Sequence, residues 1–206
     1  MPKLAITISR ARWLTATAAA VFLGLAATAD AGSRTTLTRV SLGRISATVN
    51  GTTYAVGGFI ALPSSWSLRR SPSAIRLRDH DFARCVYDTT ITAQAVQSSA
   101  TSPAEQIAAQ QNIDAKYVID SGTRGRGAWR IVRQPGGSSK GVTVVGDLLL
   151  PYAGGGGSGA GPTTWVGLHA VASARPGSEC HSGTYRQALG PQLGDAFASF
   201  RGIIRR

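Results

Sequence analysis

Apolar and polar residues alternate from Ile45 to Val49, and again from Thr52 to Ile60, on either side of Asn50-Gly51. A period of two marks a strand with one buried face. Asn-Gly accepts the positive φ angles that a two-residue hairpin needs. Residues 45–60 are therefore a predicted β-hairpin. Pro63 cannot donate to a ladder, so it marks the end of the second strand or a sheet edge. Trp66 needs cover under a corner of the sheet. The alternation continues at 74–78, where Ile75 and Leu77 share one face and Arg76 and Arg78 the other. At 85–96, Cys85, Tyr87, Thr89, Ile91, Ala93 and Ala95 fall together, which suits a buried half-cystine. Further strands are predicted at 128–134, 141–150 and 163–174, with a short one at 115–119 and a Gly/Arg turn at 121–127.

The period changes twice. Ser102-Pro103-Ala104-Glu105 offers a cap, a proline for the first helical position and the acid of a capping box. A helix follows to about residue 112, with Ile107, Ala108 and Gln111 along one side. After Gly190-Pro191, Leu193, Phe197, Phe200 and Ile204 recur at helical spacing. Arg201, Arg205 and Arg206 then sit where a helix dipole favours cations. The expected fold is α+β: a single antiparallel sheet of about six to eight strands, an inner helix at about 103–112 and a C-terminal helix packed against it. Residues 153–161 are a Gly-rich flexible loop.

Residues 1–31 follow another rule. Lys3, Arg10 and Arg12 precede an apolar run from Trp13 to Ala29, which closes on the small-x-small pattern Ala29-Asp30-Ala31. This is the layout of a secretory signal peptide, with cleavage expected after Ala31. A retained anchor is the competing reading, but Thr15, Thr17 and Thr28 interrupt the run. No later segment is apolar enough to span a membrane. Residues 32–44 are a polar, flexible lead-in that can join the first strand, and residues 45–206 are expected to form one domain.

Composition changes the picture less. The 206-residue chain has 22 Lys and Arg against 10 Asp and Glu, and the leader holds only four of these. A basic exported protein is drawn to anionic surfaces. The simpler reading is compositional, since Arg, Ala and Gly are abundant and the arginines are scattered. Cys85 and Cys180 are the only cysteines. In an oxidising compartment two cysteines most simply form one disulfide, and no CxxC spacing suggests a metal.

The order of elements, with Phe59-Ile60-Ala61-Leu62-Pro63-Ser64-Ser65-Trp66 after the hairpin and Ser102-Pro103-Ala104-Glu105 opening the helix, resembles the PsbP-like α/β/α sandwich family. The resemblance implies an accessory or binding protein rather than an enzyme. It transfers no site residue.

Several clusters could carry chemistry. Asp79 and Asp81 can share a cation, against the plainer reading of a solvated turn beside Arg76, Arg78 and Arg84. His169 lies on a strand face with Trp165, Gly167 and Val171 and can serve as a general base. Its carboxylate partner would have to come from Asp120, Asp147 or Asp195. The plainer reading is a half-buried histidine bonded locally. His181 adjoins a cysteine that the disulfide would consume. Gly156-Gly157-Ser158-Gly159-Ala160 fails the G-x-S-x-G pattern, and no lysine follows to make a phosphate loop. Arg124 and Arg126 in their Gly-rich turn, with Arg130 nearby, form the favoured ligand-binding patch, because guanidiniums bind oxyanions bidentately.

No catalytic constellation, metal spacing or cofactor fingerprint stands out, so no catalytic residue, metal or cofactor is expected. The leading reading is a secreted non-catalytic accessory or binding module of the cell envelope or extracellular space. The alternatives are a secreted hydrolase using a histidine–carboxylate pair and an Arg-mediated binder of anionic polymers. The partner classes left are an anionic envelope polymer or another exported protein. Nucleic acid is disfavoured, because the tryptophans read as core rather than as exposed aromatics among charge.

Overall fold

The Asn50-Gly51 turn forms as expected, with φ of 48° and 73° at its two residues. It joins β1 (Leu37–Val49) to β2 (Thr52–Pro63), which pair along their whole lengths with one bulge between Ser41 and Gly43. The structure is a computed structural model that describes residues 36–78, 85–135, 142–152, 162–180 and 189–206. The leader, Asp79-His80-Asp81, the Gly-rich loop and His181 lie outside the described residues.

After the hairpin come β3 (Ser67–Arg70), β4 (Ala74–Arg78) and β5 (Tyr87–Ser98), then helix α1 (Pro103–Gln111). A 3₁₀ turn (Ala115–Tyr117) leads into β6 (Val118–Arg124), β7 (Gly127–Arg133), β8 (Val144–Pro151) and β9 (Thr163–Ala174). The chain ends in α2 (Gly190–Ser199) and β10 (Arg201–Arg205).

The fold is α+β and antiparallel, but the expected single sheet is two. One has the order β1-β2-β10, the other β3-β4-β5-β9-β8-β7-β6. The small sheet turns Leu42, Ile45, Tyr54, Val56, Ile60 and Leu62 inward, all buried. They pack against Ile75, Leu77, Tyr87, Ile91, Leu148, Val166 and Leu168 of the large sheet in one core. Burying two apolar faces against each other removes more of them from water than one wide sheet would.

The C-terminal helix is shorter than its periodicity implies. It ends at Ser199, and Phe200 turns extended (φ −51°, ψ 126°). Residues 201–205 then pair with β2, from Arg201↔Phe59 to Arg205↔Ala55. Gly202 weakens a helix there, while the open edge of β2 supplies ladder partners. Within α2, Leu193, Ala196 and Phe197 are buried. A Cβ on Gly146 would stand 2.9 Å from the Phe197 ring, so a glycine in β8 makes room for the helix.

On the opposite face of the large sheet lies α1. Ser102 Oγ accepts the Glu105 N–H at 3.1 Å, as a capping box requires. Glu105 Oε2 accepts instead from the Thr101 N–H and hydroxyl, each at 2.8 Å, so the box closes one residue early. α1 buries only Gln106 and Ile107. Its apolar contact is the small cluster of Ile107, Ala128, Leu149 and Trp165. Polar bonds must therefore hold much of this helix.

Cys85 and Cys180 form the expected disulfide, with Cα atoms 4.5 Å apart across 95 residues of chain. The chain-entropy relation gives a loop of that size roughly 4–5 kcal/mol of stabilisation. A disulfide points to an oxidising, extracellular compartment. Among the described residues, no helix is long and apolar enough to cross a membrane.

Candidate functional site

Register builds a polar row on the α1 face of the large sheet. Thr92 of β5 pairs with His169 of β9, His169 with Asp147 of β8, and Asp147 with Arg130 of β7. Directly paired residues share a face. His169 Nδ1 lies 2.8 Å from Asp147 Oδ1. The Asp147 side chain is 1% exposed and that of His169 35%. One member of the pair is sealed and the other reaches solvent.

A buried carboxylate needs donors, and Asp147 has three. Besides His169, Gln94 Nε2 donates to Oδ1 at 2.9 Å and Gln111 Nε2 to Oδ2 at 2.7 Å. Gln94 comes from β5 and reaches across β9 at Gly167, its own register partner, which has no side chain in the way. Gln110 Nε2 donates to Gln94 Oε1 at 2.7 Å, so adjacent glutamines of α1 brace the network from above. Arg130 is drawn to the same helix end, donating to the Ile113 carbonyl at 2.8 Å.

The acceptor-only carboxylate fixes the imidazole tautomer with Nδ1 protonated, leaving Nε2 outward. The hydrogen bond to Asp147 raises the His169 pKa above its ordinary 6.5, against the opposite pull of burial. Such a dyad can accept or donate a proton at Nε2, or present a cation to an anionic group. Of the three carboxylates considered, Asp147 is the partner. Asp120 accepts from the Ser121 N–H, and Asp195 is exposed on α2.

The three arginines of the sequence-based patch are not gathered. Arg124 donates to the Ala198 carbonyl at the end of α2, on the core side of the sheet. Arg130 is half-buried on the α1 side. Arg126 is exposed in the turn, beside Gly125 at φ 56°. Among the described residues, no group of three His, Cys, Asp or Glu could hold a metal ion.

A second surface escaped the sequence reading. The outward face of the small sheet carries Arg39, Arg44, Phe59, Arg201, Ile203 and Arg205, around a shallow depression of about 590 Å³ floored by Gly57 and Gly58. Register sets Phe59 between Ser41 and Arg201, and Gly57 between Arg44 and Ile203. The Arg39 guanidinium lies 4.2 Å over the Phe59 ring. Leu37, Phe59 and Ile203 are 47%, 40% and 62% exposed. No Asp or Glu occurs in β1, β2 or β10. The signal available in sequence was the outward half of each alternation, but it needed β10 to be read as a strand.

No family model and no curated protein matches the chain.

Proposed function

We propose that the protein is an exported, non-catalytic binding module that docks through the outward face of its small sheet. One observation carries this reading. The large apolar side chains exposed among the described residues, Leu37, Phe59 and Ile203, all lie on β1, β2 and β10. Soluble domains leave apolar side chains scattered, whereas here all three fall on one sheet, Phe59 and Ile203 as diagonal neighbours rimmed by arginines, and such a patch marks an interaction surface. The disulfide fits an exported protein, and cleavage of the leader after Ala31 belongs to the same reading. An accessory role is also the direction of the PsbP-like resemblance.

The test is retention on an envelope fraction of the producing cell. The wild-type protein should sediment with it, and a Phe59→Ser/Ile203→Ser variant should stay in the supernatant while keeping its melting temperature. Equal retention of the two proteins would sink the proposal.

The 2.8 Å contact between His169 and Asp147 favours a second reading, a secreted hydrolase with His169 as general base. It requires turnover of an ester, phosphoester or glycoside that a folded His169→Ala variant loses. If the wild-type protein turns over none of these, this reading fails.

A further inference from the structure

Resting on that docking face, we infer that its partner is the anionic surface of a lipid bilayer. Two kinds of side chain share the face. Arg39 and Arg44 flank it on β1, and Arg201 and Arg205 on β10. Phe59 and Ile203 stand between them as diagonal neighbours, with Leu37 at the end of the same sheet. The floor beneath is Ala55, Gly57 and Gly58, so the long side chains that project are arginines and large apolar groups, with only the short Ser41 beside Phe59 on β1. No acidic residue in the three strands opposes an anion.

A soluble polyanion would use the guanidiniums and leave the apolar groups in water. A bilayer interface uses both. Phe, Ile and Leu enter the boundary between headgroups and acyl chains, while arginines meet the phosphates at the same level. The Arg39 guanidinium already lies over the Phe59 ring, which places a cation beside the ring that would insert. A sheet face is broad and shallow, so four arginines can engage several headgroups at once. Each basic side chain near an anionic leaflet strengthens partitioning about fivefold. Apolar contact and charge together supply the two signals that stable surface attachment takes.

The experiment is flotation of the full chain, as its host releases it, with vesicles of phosphatidylglycerol and phosphatidylcholine or of phosphatidylcholine alone. The expected result is co-flotation with the anionic vesicles, weakening as salt rises, and little with the neutral ones. Arg201→Gln/Arg205→Gln should weaken low-salt binding on the order of twentyfold. Phe59→Ser/Ile203→Ser should weaken it at every salt concentration. Absence from anionic vesicles, or equal binding to neutral ones, would overturn the lipid assignment. So would binding to soluble polyphosphate that depends on the arginine pair and ignores Phe59 and Ile203. If envelope retention still needs Phe59 and Ile203 in that case, the docking face stands and only its lipid partner falls. If retention ignores them as well, both proposals fall.

Discussion

Asp147 and His169 lie on adjacent strands as direct register partners, one sealed from solvent and the other reaching it, joined by a 2.8 Å hydrogen bond. The pair ties stability to pH in a defined direction. The folded-state pKa of His169 is raised, so the protonated imidazole favours the folded chain. That contribution is fully present below about pH 6.5, the value of an unperturbed histidine. It is lost as pH rises through the higher folded-state value. The stability advantage of the wild-type protein over His169→Gln should therefore be larger at pH 5.5 than at pH 8.5. Urea midpoints at the two pH values measure it, and an advantage that grows with pH would contradict the assignment.

Removing the carboxylate is the harsher change. Asp147→Ala leaves the imidazole N–H and the Gln94 and Gln111 amides without their shared acceptor. Orphaned buried donors cost far more than the net worth of the bonds they made. A loss of about 3 kcal/mol is expected, together with faster amide exchange in α1, whose last turn these bonds anchor. Unchanged exchange in α1 would show that its other contacts, Ile107 and the Gln110–Gln94 and Gln111–Arg130 bonds, hold the helix without Asp147.

The disulfide makes a separate prediction. Both cysteines are buried, at 4% and 5% relative exposure. The native protein should therefore resist alkylation without reductant and denaturant. Reduction, or Cys85→Ala/Cys180→Ala, should lower the unfolding free energy by roughly 4 kcal/mol if the chain-entropy term dominates. A shift well below 1 kcal/mol would mean that the reduced unfolded chain stays as restricted as the oxidised one.

Alternation was enough to read the hairpin's turn and inner half, though β1 begins at Leu37 inside the expected lead-in, and to read the face shared by Tyr87 and Ile91 and β9 to its end residues. These features depend on neighbours in sequence. The division into two sheets does not, since a strand with one apolar face looks the same in either. The C-terminal misreading has a similar cause. Leu193 and Phe197 follow helical spacing because they lie on α2. Phe200 and Ile204 fall on that spacing by chance, Phe200 buried at the exit of the helix and Ile204 half-buried on β10. At the polar site, the sequence offered three carboxylates for His169. The β8–β9 register chose Asp147, and β10 created the arginine face by setting Arg201 beside Phe59 and Arg205 beside Ala55.

Gln111 links the helix to the dyad, and this yields the last expectation. Its amide donates to Asp147 Oδ2 at 2.7 Å and to the Arg130 carbonyl at 3.2 Å. Gln111→Leu removes a donor that neutralises part of the carboxylate charge and keeps a similar bulk. The remaining charge acts more strongly on His169, because an opposite charge within a few ångströms favours the ionised imidazole. The His169 pKa should rise further, as read from the imidazole carbon-bound protons in an NMR titration. Stability should fall by about 1–2 kcal/mol for the lost charge-assisted bond. A His169 pKa that stays in place or falls would show that α1 covers the dyad without tuning it.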